Sequence, residues 1–105
     1  MENMSLQEWI SKGEALFGKN NEDWKFVCPA CGHIASVKEF TELGVDADYA
    51  KGNCIGRLTG KGSPVEGDNS GCNWTAGGLF GTLGKGVKVS RPDGKVVEAF
   101  MFYES

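Results

Sequence analysis

Histidine, proline and surplus positive charge are what this 105-residue chain has least of: one histidine, three prolines and a net charge of −3. A single histidine, His33, leaves little material for general acid–base chemistry. The acidic balance excludes a general nucleic-acid coat, which needs a basic surface. The longest apolar run, AFMFY, is far too short to span a bilayer. The opening MENMSLQEWI has neither a basic n-region nor an apolar h-region, so no export signal is read there. These absences predict a soluble, cytoplasmic protein without membrane contact. Catalytic signatures are missing too. There is no G-x-S-x-G, HExxH or dinucleotide fingerprint. GTLGKG falls short of a P-loop, because Leu79 stands at the first glycine position and Gly86 replaces Ser/Thr. Asp46 and Asp48 read as a helix cap and a solvated side chain rather than an acid pair.

What the chain has in quantity is glycine, sixteen residues of it, together with 40% apolar and 24% charged residues. That composition is globular but loop-rich, and ordering so many glycines is costly in backbone entropy. A chain of this length fits one domain, residues 1–105, and a small core of this kind often leans on a covalent or metal staple.

The pattern of elements is α+β. SLQEWISKGEALFG opens with a capping box (Ser5, Glu8), places Leu6, Trp9, Ile10, Leu16 and Phe17 on one helical face, and stops at Gly18. WKFV and HIASV predict two strands around the CPAC turn. SVKEFTELG predicts a second helix with its own capping box (Ser36, Glu39), and VDADYAKG one more helical turn capped by Asp46. CIGRL is read as a short strand. The glycine-rich stretch 59–71 has almost nothing to bury and is read as a flexible loop. Two alternating segments flank Arg91-Pro92-Asp93-Gly94, a β-hairpin signal that would turn Val87 and Val89 toward the core. Trp9, Trp24, Phe26 and Phe40 are the candidate core aromatics.

Four cysteines remain: Cys28, Cys31, Cys54 and Cys72. Cys28 and Cys31 have C-x2-C spacing framed by Pro29 and Gly32, a turn that presents two thiolates to one metal ion. Cys54 and Cys72 would complete a tetrahedron, although they are not a second C-x2-C pair. In a reducing compartment thiols are ligands more often than disulfides. The expectation is one structural Zn2+ per chain on all four cysteines, closed to water and therefore not catalytic. Two readings compete. A thiol oxidoreductase would use Cys28 and Cys31, but such pairs sit at a strand-to-helix junction, which this turn lacks. His33 could replace a cysteine as ligand. Its simpler role is a polar neighbour of the site that hydrogen-bonds a sulfur, with Trp74 shielding the metal from the other side.

A basic cluster, Lys85, Lys88, Arg91 and Lys95, surrounds the terminal hairpin, with Trp74, Phe80 or Tyr49 as candidate aromatic neighbours. It would carry a nucleic-acid contact if there is one. The competing reading is a solvated hairpin tip that keeps an edge strand from aggregating.

The ordered series EWISKGEALFG, WKFVCPACGH, CIGR, GCNWTAGGLF and a DGK hairpin closed by AFMFY resembles one small family of phage and prophage proteins, over residues 6–103. The resemblance implies a phage-type protein working in a bacterial cytoplasm and supplies no activity. The cysteines match that family's cysteine positions, and the stretch between CIGR and GCNW is where its members would differ in length. Together these readings predict a small, zinc-ribbon-like α+β domain, its N-terminal helix packed on short antiparallel strands with a C-terminal hairpin. Its expected role is a non-enzymatic interaction or adaptor module with a protein partner, with nucleic-acid binding and thiol redox chemistry as the alternatives.

Overall fold

In the computed structural model, which describes residues 2–77 and 81–104, two small sheets share one long helix. Strand β1 (Glu2–Ser5) runs into helix α1 (Leu6–Phe17). The switch is made at Ser5. Its hydroxyl accepts from the Glu8 N–H at 3.1 Å, and the Glu8 carboxylate accepts from the Ser5 N–H at 3.0 Å, the expected capping box. Gly18, at φ +93°, ends the helix in a conformation that suits glycine.

A 3-10 turn (Asn21–Asp23) leads to β2 (Lys25–Val27), the CPAC turn, β3 (Ile34–Ser36) and helix α2 (Val37–Glu42). Strands β2 and β3 form the expected antiparallel hairpin, Phe26 opposite Ala35. Ser36 and Glu39 form the second capping box. A 3-10 turn (Ala47–Lys51) follows, capped by Asp46 as the sequence predicts.

The second half holds β4 (Val87–Ser90), β5 (Val96–Ala99) and β6 (Met101–Phe102). Strands β4 and β5 are the predicted hairpin, with Val87 and Val89 buried. Two features go beyond the sequence reading. Strand β1 adds to β4 in parallel, giving the sheet β1–β4–β5, and β6 adds to β2, giving β3–β2–β6. The chain crosses between sheets at Phe100, whose N–H leaves the ladder and donates to the Lys51 carbonyl at 2.7 Å. Burial changes parity there: Ala99 is buried, and then Phe100 and Phe102.

One reading is corrected. Cys54–Leu58 is not a strand: Ile55–Arg57 is a 3-10 turn, with Arg57 N–H bonded to the Cys54 carbonyl. The reason is a close approach between two segments. Gly56 lies directly on the Cys72 backbone, where an added Cβ would come within 2.3 Å of the Cys72 carbonyl oxygen. An extended chain could not curl its backbone around the Cys54 sulfur in this way. Phe80, named above as a possible neighbour of the basic cluster, lies outside the described residues.

The core has two centres. The larger joins Trp24, Phe26, Val37, Phe40, Phe100 and Phe102 to the buried cysteines. The smaller joins Val87, Val89 and Ala99. Trp9 packs against both, so α1 ties the two sheets together. Its ring stacks on Phe102 at 5.3 Å and meets Trp24 edge-on at 5.6 Å, geometries that aromatic quadrupoles favour. Gly13 makes that packing possible, since a Cβ there would lie 2.5 Å from the Trp24 ring.

Candidate metal centre

The larger core ends at the four cysteines. Cys28 leaves β2, and its backbone closes the turn: the Cys28 N–H donates to the His33 carbonyl at 3.0 Å and the Gly32 N–H to the Cys28 carbonyl at 2.9 Å. Gly32 has φ +79°, which a residue with a Cβ adopts only under strain. This tight reversal brings the Cys31 sulfur round beside that of Cys28.

The other two ligands come from segments far apart in sequence and paired in space. Asn53 bridges to Thr75, the Cys54 N–H donates to the Trp74 carbonyl at 3.0 Å, and the Ala76 N–H to the Gly52 carbonyl at 2.7 Å. Arg57 adds a clamp. Its guanidinium donates to the Asn73 carbonyl at 2.8 Å and to the Tyr49 hydroxyl at 3.1 Å, which fixes the chain just after Cys72. The sequence reading missed this clamp. Its one sequence signal is an arginine three positions past a cysteine.

All four sulfurs lie within 4.8 Å of one another. Cys28 and Cys72 sulfurs are 3.7 Å apart, and Cys31 and Cys54 sulfurs 3.8 Å. A tetrahedral ion with metal–sulfur bonds of about 2.3 Å has sulfur–sulfur edges of about 3.8 Å, which these two separations match. Nor are the cysteines joined to each other: all four are free thiols. Cys28, Cys54 and Cys72 are buried and Cys31 is half-buried.

Backbone N–H groups face the sulfurs and suit them to negative charge. Ala30 and Cys31 serve Cys28, Gly56 and Cys72 serve Cys54, and Trp74 serves Cys72. Each cysteine in this set thus has an N–H two residues onward aimed at its own sulfur, a repeated local device. The glycine two residues after Cys54 is its sequence signal. Without a metal, the thiols share protons. The neighbouring Cys54 sulfur, and then burial, push the Cys28 thiol up, while Cys28 beside it holds Cys54 well below the ordinary thiol range. Burial raises Cys72 to about 11. A buried cluster with one thiolate already favoured is a site prepared for a cation.

His33 stands outside this group of donors. Its Nδ1 lies 2.9 Å from the Asn69 carbonyl, so the ring reaches the 59–71 stretch. Trp74 is half-buried, and its indole N–H donates to the Gly81 carbonyl at 2.6 Å while its backbone serves both Cys54 and Cys72. The basic cluster is diluted by carboxylates. Arg91 pairs with Asp93 at 3.8 Å, and Lys88 stands opposite Glu98 across the ladder. Lys85 and Lys95 are exposed.

With the geometry in place, kinship can be read. Residues 5–103 match the model of the VVA0879-like family. The chain belongs to that family. No curated protein and no solved structure matches it. The match takes in all four cysteines, the Arg57 clamp and every strand except β1, of which it includes only Ser5, so the metal-site scaffold lies within the family's span. Among the described residues no helix is long and apolar enough to cross a membrane.

Proposed function

We propose that this chain is a non-enzymatic interaction or adaptor module whose fold is held by one structural zinc on Cys28, Cys31, Cys54 and Cys72. The observation that carries the reading is the sulfur cluster, four thiols from three separate segments within 4.8 Å. Four thiolates in tetrahedral array suit zinc, and soft sulfur donors disfavour magnesium and calcium. Four protein ligands leave no position for water or substrate, which makes the ion structural. The ion would anchor the CPAC turn to the Cys54 and Cys72 segments and so close the larger core. A phage or prophage setting and a bacterial cytoplasm follow from the motif resemblance alone.

The geometry gives less support to the alternatives. In a thiol oxidoreductase the attacking sulfur is accessible, whereas Cys28 is 3% exposed and is surrounded by three other sulfurs. A nucleic-acid reader needs a continuous basic face, and Asp93 and Glu98 interrupt this one. Elemental analysis of protein isolated from a bacterial cytoplasm tests the reading. About one zinc per chain is expected, with no turnover of a dithiol substrate by the loaded protein. Disulfide-linked Cys28 and Cys31 in metal-free protein would replace it with the redox reading.

A further inference from the structure

The four sulfurs are not equally sheltered. Cys28, Cys54 and Cys72 are buried, and Cys31 alone is half-buried. The surroundings of Cys31 are open as well. Gly32, next in the chain, is exposed, and a Cβ there would meet nothing within 4 Å. A cleft of about 600 Å³ runs along the CPAC turn, lined by Cys28, Cys31 and Gly32 together with Lys85, Met101 and Tyr103. A small polar molecule can therefore reach the turn, where the Lys85 ammonium and the Tyr103 hydroxyl offer it hydrogen bonds. Inside the cluster the sulfurs stand in two close pairs. Cys31 faces Cys54 at 3.8 Å, and Cys28 faces Cys72 at 3.7 Å. The Cys54 sulfur is also held in place, since the Cys72 N–H donates to it at 3.3 Å. One exposed sulfur thus stands beside a fixed, buried one from another segment.

We propose that the cluster is a peroxide-sensitive switch, in which Cys31 is oxidised first and Cys54 resolves it as a disulfide that expels the metal. The oxidant is hydrogen peroxide. The Cys31 thiolate sulfur attacks one peroxide oxygen, so an S–O bond forms, the O–O bond breaks and hydroxide leaves. The Cys54 thiolate then attacks the sulfenic sulfur, so an S–S bond forms, the S–O bond breaks and a second hydroxide leaves. The two sulfurs together give two electrons to peroxide, and two protons from solvent turn the hydroxides into water. Cys28 and Cys72 are left as two ligands of a four-ligand site, and they take up protons as the ion departs. The Cys72 segment is then no longer fastened to the CPAC turn, which is how oxidation would change the shape of the module. A dithiol reductant reverses the bond and lets the metal return.

This switch rests on the four-thiolate reading, which zinc in the untreated chain tests first. The metal-loaded full chain is treated with hydrogen peroxide. Zinc release is followed with a chromogenic indicator, and the cysteines are mapped by peptide mass spectrometry. Zinc should leave in step with a Cys31–Cys54 disulfide and rebind after reduction. A 1,3-diketone trap for sulfenic acid should label Cys31 about tenfold more than any other cysteine. Urea-unfolded, chelated chain should lose that preference, because the folded geometry sets it. Met101 is exposed and lines the same cleft, so Met101→Leu, which removes the competing sulfur, should release zinc at an unchanged rate. The proposal is overturned if a zinc-loaded chain keeps its metal while Met101 becomes the sulfoxide, if Met101→Leu abolishes release, if the trap labels another cysteine first, or if the disulfide joins Cys28 to Cys31. An untreated chain without zinc would overturn the four-thiolate reading and the switch with it.

Discussion

The backbone N–H of Cys72 donates to the sulfur of Cys54 at 3.3 Å, so one ligand helps hold the other. Eighteen residues separate them, and the pair meets because Gly56 lets the 3-10 turn after Cys54 rest on the Cys72 backbone. The half of the site without a C-x2-C motif is therefore as tightly built as the half with one.

Gly56→Ala should damage the metal site. Its Cβ would lie 2.3 Å from the Cys72 carbonyl oxygen and 2.4 Å from its nitrogen, and backbone cannot rotate away as a side chain can. A loss of about 3 kcal/mol is expected, together with faster metal release to a chelator. Gly60→Ala is the control. Its Cβ meets nothing within 4 Å, so only the cost of a positive φ, about 1 kcal/mol, should appear. Equal effects would contradict the close approach.

Cys54→Ser and Cys72→Ser should unfold the chain as severely as Cys28→Ser or Cys31→Ser. Structural zinc sites supply on the order of 10 kcal/mol, against a net stability of about 5–15 kcal/mol for a domain. Loss of any one thiolate weakens the whole tetrahedron. His33→Ala, which gives up only a bond to the Asn69 carbonyl, should keep its metal. Metal content and thermal midpoint across the five variants decide the matter, and a His33→Ala protein that loses metal while Cys54→Ser keeps it would replace a cysteine with the histidine.

Residues 63–69 should be dispensable. The ends of this stretch are already close, since the Asn73 N–H donates to the Gly62 carbonyl at 3.0 Å and Gly71 packs near Lys61. Between them the backbone is tied by the bond from Asp68 to Val65 and by His33 at Asn69. Amides at 63–67 should exchange fast, and deletion of 63–69 should leave metal content and midpoint within experimental error. Loss of folding on deletion would mean that the stretch packs.

Much of the fold is legible because it is written in local chemistry. Ser5 with Glu8 and Ser36 with Glu39 announce both helices, and Val87 and Val89 announce the buried face of the hairpin. Other parts depend on distant partners. Glu2–Ser5, ENMS, has no alternating apolar pattern, and it becomes β1 because β4 offers an open edge beside it. Ile55 favours a strand by its branched Cβ, yet Gly56 beside it rests on the Cys72 backbone, and the chain takes a 3-10 turn. The parity change from Ala99 to Phe100 is visible in the sequence, but only Lys51 explains why the chain crosses between sheets there.

Acid should loosen α1 through its cap. The Ser5 backbone N–H, and then its hydroxyl, hold the Glu8 carboxyl below its ordinary value of 4.5. A folded value below the unfolded one means that the cap's contribution is complete above 4.5 and fades as pH falls through the folded value. Glu8→Gln should flatten that part of the acid unfolding curve, read by circular dichroism. An unchanged slope would show that the carboxylate contributes nothing.

The most direct test of the four-thiolate site is the native mass of the chain before and after a chelator. One zinc per chain is predicted, bound with loss of thiol protons and removed by chelator together with the folded charge-state distribution. A native mass equal to the bare chain, with the same compact distribution in the presence and absence of chelator, would contradict the account.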